Sequence, residues 1–315
     1  MCTAIKHGSF VGRNLDITEG YGEEIIITPR CYSIALRKEE NLAEHYAMIG
    51  MGTVSRGYPL YYDAVNEYGL YMAGLNYVGN AKYLPLKEKK VNLAPFELIP
   101  YILSICKSVG EAEDELKRIN LTDIPFSREL PTAELHWFIA DKERTITVEP
   151  DKNGLNIYNN PIGVLTNNPP FPYQLFNLNN YPMLKRENPS ASFSGNLPFS
   201  AYSEGMGALG LPGDLSSQSR FIRAVFHKTC ARDIDGYAAI FHLLSSVAMP
   251  DGSVKVGKSF ERTEYTTATS LSSITYYYRS YDSSGICSLN LFSENLDTPR
   301  LIRYAVLTPE PISQN

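Results

Sequence analysis

Long apolar runs are missing from this chain. None approaches the ~20 residues that a membrane-spanning helix needs, and Lys6, His7 and Gly8 interrupt any signal region at the N-terminus. That absence also excludes a lipidated Cys2, which requires an apolar region upstream, and the expected location of the mature protein is the cytoplasm. Basic blocks are equally scarce. Nothing longer than Lys87-Glu88-Lys89-Lys90 occurs in a chain of net charge −5 and isoelectric point about 5.6, so neither nucleic acid nor a membrane is an expected partner. Paired cysteines are absent too: Cys2, Cys31, Cys106, Cys230 and Cys287 stand far apart and are odd in number. No C-x-x-C spacing suggests zinc, and a cytosolic chain keeps its thiols reduced. Cys106, Cys230 and Cys287 lie in apolar surroundings, as inert core thiols would. His7, His45, His136, His227 and His242 show no H-x-x-x-H spacing, so no metal site is expected and each histidine reads as structural.

At 315 residues the chain can bury one large core or two modest ones. No Pro/Gly/Ser linker divides it and no repeat recurs at a fixed period, so a single domain over residues 2–315 is expected. Residues 1–80 read as β-structure, with short apolar or alternating runs at Cys2–Ile5, Phe10–Val11, Glu24–Thr28, Tyr32–Leu36, Tyr46–Met51 and Leu70–Leu75. Apolar spacing predicts a helix over Pro95–Cys106. A second opens at Ser108, with Glu111 in the capping-box position, and runs to about Ile119. Strands return at Leu135–Ala140, Thr145–Val148, Leu155–Tyr158 and Ile162–Leu165. Residues 169–212 read as long loops with one short helix near Tyr173–Asn180, followed by helices Ser217–Cys230 and Ile234–Val247. Strands at Tyr265–Leu271, Ile274–Tyr278, Cys287–Phe292 and Leu301–Val306 close the chain. Blocks of strands separated by helix pairs are buried economically as two sheets face to face with helices outside. The expected fold is therefore α+β, a four-layer αββα sandwich of two antiparallel sheets.

Cys2 directly follows the initiator methionine. If Met1 is trimmed, one residue carries both a thiol of pKa ~8.5 and an α-amine of ~7.7–8.0, against ~10.4 for lysine. A nucleophile and a base suited to neutral pH would then sit on the same residue. Position alone leaves this even with an accident of the start site. Gly12-Arg13-Asn14-Leu15-Asp16 follows at about hairpin distance, which would bring Arg13 and Asp16 beside residue 2. An arginine there would favour the thiolate, and a carboxylate would hold the amine. The segment fits a surface Arg–Asp pair in a turn as well.

Cys2-Thr3, Gly12 to Asp16, Asn66-Glu67-Tyr68-Gly69-Leu70 and Ala73-Gly74-Leu75-Asn76-Tyr77 together resemble the choloylglycine hydrolase family, which holds the bile salt hydrolases and penicillin V acylases. Leu135-His136-Trp137, Gly163 to Pro169, Gly210 to Asp214 and Ser219-Arg220-Phe221 extend the likeness in family order to about residue 295. The resemblance implies an N-terminal nucleophile hydrolase with an αββα sandwich and no metal or organic cofactor. It implies Cys2 as nucleophile and, through its amine, as base, with Arg13 and Asp16 tuning and orienting it. Asn76 and Asn167 would supply oxyanion donors and polar contacts, and Arg220 would complete the charged network. By spacing alone both asparagines are equally turn residues. The resemblance further implies conjugated bile acids as small-molecule substrates and a homotetramer.

Leu15, Phe126 and Leu130 occupy positions that line the pocket in the family, and all three are apolar, as a steroid amide requires. Asn76 resembles the bile salt branch, since penicillin V acylases often carry Tyr there. The alternatives are a penicillin V acylase or other N-acyl amide hydrolase on this scaffold and, more remotely, a non-catalytic binding protein. Tyr202-Ser203-Glu204-Gly205 departs from relatives that place an arginine near the position of Glu204, so the preference between glycine and taurine conjugates stays open.

Overall fold

Alternation along Ile25-Ile26-Ile27 sets the order of the layers. Ile25 and Ile27 belong to the apolar cluster between two sheets, and Ile26 belongs to a second cluster beneath a helix pair. Trp137 and Phe138 divide in the same way. Neighbouring side chains of a strand point to opposite faces, so a strand apolar on both faces must be covered on both. Each such side chain contributes roughly 1.5–3 kcal/mol when fully buried. A computed structural model describes residues 1–190, 200–232 and 236–308.

The first sheet runs in the order Val164–Leu165, Cys2–His7, Phe10–Ile17, Ser259–Ser270, Thr275–Ser280 and Cys287–Asn290, with Val254–Val256 paired onto Ser259–Ser270. The second runs Gly154–Asn159, Thr145–Asp151, Leu135–Ala140, Tyr71–Asn76, Tyr58–Asn66, Met48–Ser55, Glu24–Thr28 and Ile302–Ala305. All neighbours in both sheets are antiparallel. Helices Ser217–Cys230 and Tyr237–Ser245 pack on the outer face of the first sheet, and Leu98–Ile105 on that of the second. Val109–Leu116 contributes Val109, Ala112 and Leu116 to the same outer cluster. The four-layer αββα sandwich is present as expected. No helix among the described residues is long and apolar enough to cross a membrane.

Several boundaries differ from the sequence expectation. Tyr32–Leu36 is not a strand: only an isolated bridge joins Ile34 to Leu42, because no neighbouring strand offers it a ladder. Tyr58–Asn66, a central strand of the second sheet, lacks a clear polar alternation because it is covered on both faces. The helix after Ser108 stops at Leu116, and Ile119–Leu121 instead pairs in parallel with Val91–Leu93. Ser108 Oγ accepts from Glu111 N–H, whereas the Glu111 carboxylate takes the N–H of Lys107, one residue earlier than a capping box. The expected helix from Ile234 begins at Tyr237, and Ile234 lies outside the described residues. Cys106 is buried, and burial pushes its thiol up to about 12. Cys230 and Cys287 are half-buried rather than core residues, since each sits at the end or edge of its element.

Two of the motifs are scaffold. Asn66 accepts from Tyr68 N–H and Leu70 N–H and donates to the carbonyls of Leu103 and Cys106, tying the first helix to its sheet. Gly69 closes that turn at φ +85°, a conformation that L side chains rarely adopt. At Gly12 a Cβ would lie 2.0 Å from the Thr267 carbonyl oxygen, so only glycine lets the strands approach as they do at the start of the Arg13 segment.

Candidate active site

Antiparallel pairing sets Cys2 opposite Leu15 and Ala4 opposite Arg13. The alternation of the strand Phe10–Ile17 then sorts its side chains. Arg13 and Leu15 face the second sheet, where the Arg13 guanidinium donates to the carbonyls of Tyr62 and Gly74, each at 2.8 Å. Asn14 and Asp16 face the helices: Asn14 Nδ2 donates to the Leu244 carbonyl at 2.9 Å, and Asp16 meets Arg220. Cys2 lies between these faces. Its sulfur is 2.7 Å from an Arg13 Nη atom, and its backbone N–H donates to Asn167 Oδ1 at 2.9 Å.

Arg220 is fully buried on helix Ser217–Cys230 and reaches several of these groups at once. It donates to the Cys2 carbonyl (2.7 Å), Thr3 Oγ1 (2.6 Å) and Asn167 Oδ1 (2.7 Å), and lies 3.7 Å from Asp16 Oδ2. Burial lowers its pKa, and the charges of Asp16, Cys2 and Glu261 partly offset that shift. Asp214 anchors the loop before this helix, accepting from Ser216 N–H and Ser219 Oγ; those bonds hold its carboxyl down to about 2. Asp16 accepts from Thr263 Oγ1 at 2.6 Å, while its Oδ2 is buried without a hydrogen-bond partner among the described residues. Burial raises the Asp16 pKa, and Arg220, the N-terminal ammonium and the Thr263 bond pull it back. For Arg13, burial acts to lower the pKa, but Cys2 foremost and Asp63 among the other acidic groups around it win, and the net shift is upward.

The Asn167 side chain is engaged on both sides. Its oxygen accepts from Cys2 and Arg220, and its Nδ2 donates to the Asn76 carbonyl at 2.7 Å. One of the two Asn167 amide protons is thus engaged in positioning, a polar contact of the kind the resemblance implies. Asn76 differs. It lines the cavity beside Cys2, and among the described residues no hydrogen bond engages its side-chain amide. His136 is structural, as expected, with Nε2 against the Thr166 carbonyl, Nδ1 against Glu149 and its ring stacked on Tyr77.

A cavity of about 400 Å³ opens at Cys2, walled by Leu15, Phe126, Leu130, Ile99 and Leu135 among others, with Asn76, Thr53, Thr132 and Glu129 among its polar lining. All three pocket residues expected from sequence line it. Glu204 does not: it is exposed on a loop and accepts from Asn188 Nδ2 at 3.1 Å. Thr263 and Thr3, which hold Asp16 and Arg220, carry no sequence signal, because strand pairing brings Thr263 to Asp16 and helix packing on the sheet brings Arg220 to Thr3. Met1 occupies the remaining side. Its ammonium donates to Glu261 at 2.9 Å and to the Asp16 carbonyl, and its own carbonyl accepts from Asp16 N–H. With Met1 attached, the Cys2 nitrogen is a peptide amide, which cannot act as a base.

Residues 2–304 match the model of the family described as linear amide C–N hydrolases, choloylglycine hydrolase family. The chain belongs to this family. It is 49% identical over 313 residues to the bile salt hydrolase/transferase of Lactiplantibacillus plantarum, covering 96% of each chain. It is 36% identical to the bile salt hydrolase/transferase of Clostridium perfringens, again over 96% of each. A crystal structure of a mutant conjugated bile acid hydrolase from Clostridium perfringens superposes with TM-score 0.94 at 33% identity, covering 100% of this chain and 99% of that one. Penicillin V acylase from Agrobacterium tumefaciens shares the fold at TM-score 0.76 and 18% identity, covering 96% of this chain and 90% of the other.

Proposed function

We propose that this linear amide hydrolase cleaves the amide bond of glycine- or taurine-conjugated bile acids, with Cys2 as nucleophile once Met1 is removed from the 2–315 domain. The observation that carries the reading is the buried Cys2 sulfur, 2.7 Å from Arg13, opening into a mainly apolar cavity of about 400 Å³. A steroid ring system fills such a cavity, and the relatives named above act on conjugated bile acids by their names.

Removal of Met1 converts the Cys2 amide into an amine, with Asn167 Oδ1 and Asp16 Oδ2 as acceptors available to it. The amine takes the thiol proton, directly or through a water, and the sulfur attacks the substrate carbonyl carbon. The carbonyl oxygen becomes an oxyanion, for which Asn76 is the side-chain donor; one such donor lowers the barrier by about 3 kcal/mol. As the tetrahedral intermediate collapses, the C–N bond breaks and the leaving glycine or taurine nitrogen takes the proton back from the α-ammonium. Water, deprotonated by the α-amine, then attacks the thioester and releases the bile acid and the thiol. Arg13 cannot deprotonate, so it presents a fixed positive charge to the sulfur at every thiolate stage.

Asn76 favours the bile salt branch over phenoxyacetyl amides. The same reading takes the enzyme as a cytoplasmic homotetramer, as the family resemblance implies. Release of glycine or taurine from conjugated bile salts by the purified chain tests the function, together with its intact mass. The expected mass lacks Met1, and Cys2→Ser loses at least about a thousandfold in rate, the cost of replacing a thiolate by an unactivated hydroxyl. Quantitative retention of Met1 in an active enzyme, or faster turnover of a phenoxyacetyl amide, overturns the reading.

A further inference from the structure

A second buried carboxylate lies on the strand whose Tyr62 carbonyl accepts from Arg13. Asp63 sits on the central strand Tyr58–Asn66 with no exposed surface. Tyrosine hydroxyls from both sheets converge on it: Tyr71 at 3.1 Å from its own sheet, and Tyr265 at 3.2 Å and Tyr276 at 2.9 Å from the opposite one. Thr267 Oγ1 lies 3.5 Å from Asp63 Oδ2 and accepts the backbone N–H of Arg13. The Arg13 guanidinium donates to the carbonyl of Tyr62, the residue preceding Asp63. No carboxylate lies within ion-pair distance of Arg13 among the described residues, although its side chain is fully buried. A buried guanidinium without compensation is costly, and hydroxyl donors are the partners that hold a carboxylate ionised.

We propose that Asp63 is the buried counter-ion of Arg13, a positioning residue that sets how much of Arg13's charge reaches the Cys2 sulfur. The proposal rests on the reading of Cys2 as the nucleophile. During turnover the sulfur alternates between thiolate and neutral thioester, so Arg13 loses its anionic partner in the acyl-enzyme while Asp63 remains. The arrangement also limits how far the thiol is acidified. Thiolate nucleophilicity falls as the thiol pKa falls, so an arginine left unopposed would give a more abundant but weaker nucleophile. Burial acts to raise the Asp63 pKa, and Arg13 and the tyrosine bonds oppose it. The other charged or titratable groups facing this assembly are Tyr62, beside Arg13, and Asp16, Arg220, the N-terminus and Glu261, on the far side of Cys2.

The test is the pH dependence of Cys2 alkylation by iodoacetamide in Met1-free enzyme, followed by peptide mass so that the other cysteines do not contribute. In Asp63→Asn the thiolate midpoint moves down by about one pH unit, as expected for one charge removed at short range at an effective dielectric near ~20. The alkylation rate at high pH falls severalfold with it, and the acid limb of kcat/KM follows. A role confined to packing lowers activity without moving the midpoint, so an unmoved or raised midpoint overturns the proposal. Tyr276→Phe removes one hydroxyl donor and moves the midpoint in the same direction by less. If Asp63→Asn fails to fold, an unmoved midpoint in Tyr276→Phe overturns the proposal alone. Bile salt turnover that survives complete alkylation of Cys2 instead sinks the nucleophile reading, while the midpoint still reports on Asp63.

Discussion

Arg13 and Asp16 belong to one strand, yet they meet Cys2 from opposite sides. On the side facing the second sheet, Arg13 touches the sulfur, Leu15 begins an apolar wall, and the groups held in place are those that bear on a thiol and a substrate. On the helix side, Asp16, Asn167 and Thr3 meet at Arg220, and Arg220 and Asn167 bond the Cys2 backbone, so this group bears on the nitrogen. One face opens onto a mainly apolar cavity, with Arg13 as the cation at the sulfur, and the other is a dense polar lattice. The difference teaches how a single residue can carry nucleophile and base without the two interfering. The period of two in a β-strand separates their environments by one sheet thickness.

Variants that touch only one face break or sharpen this comparison. Asp16→Asn removes the carboxylate facing the nitrogen and leaves the sulfur's surroundings unchanged. Turnover is expected to fall about a hundredfold, the usual contribution of a positioned acid–base partner, while Cys2 alkylation at high pH changes no more than the severalfold that loss of one nearby charge brings. Equal losses in both measurements would mean that the faces are not independent. Leu130→Ala, on the cavity wall, should raise KM for a conjugated bile salt about tenfold and change kcat by less than about twofold, because a few methylenes contribute ~1–3 kcal/mol of binding. A fall in kcat with KM unchanged would show that the wall orients the scissile bond rather than holding the steroid.

The smallest expected effect lies on Glu97, whose carboxylate accepts from the N–H groups of Ala94 and Arg37 at the start of the helix lining the cavity. Burial raises its pKa, so the folded chain holds this proton more tightly than the unfolded one. The resulting stabilisation is full below the unfolded value of ~4.3 and is lost as pH rises through the folded value. Glu97→Gln carries no such proton. Its Tm should therefore fall less than that of wild type between pH 4.5 and 7, by about 2 °C in a thermal melt at each pH. Parallel Tm–pH curves would show that Glu97 is not perturbed.

Glu24–Thr28 and Leu135–Ala140 were legible as short, nearly unbroken apolar runs, the pattern of strands covered on both faces. Tyr58–Asn66 was not legible, because Pro59, Asp63 and three tyrosines break up its apolar run. Arg13, Asp16, Asn76 and Arg220 were legible as a set through their ordered motifs, and the structure gathers them around Cys2. Asn167 belongs to the same group, but nothing in the sequence shows that its side chain also ties Cys2, Arg220 and the Asn76 carbonyl together. Asp63, Thr263 and Glu261 carried no local signal, because their partners come from strands that meet only when the sheets assemble.

What the sequence determined alone is the chemistry available: a thiol next to the start, two arginines that cannot lose their charge, and the strand alternation that separates the groups beside them. Tertiary structure decided which of those groups touch. Whether an asparagine donates to a substrate or to a neighbouring carbonyl, and whether a buried carboxylate balances Arg13, depends on distances across two packed sheets. A hydrogen bond or a buried charge pair gains its strength only at such short range, and no spacing along the chain encodes it.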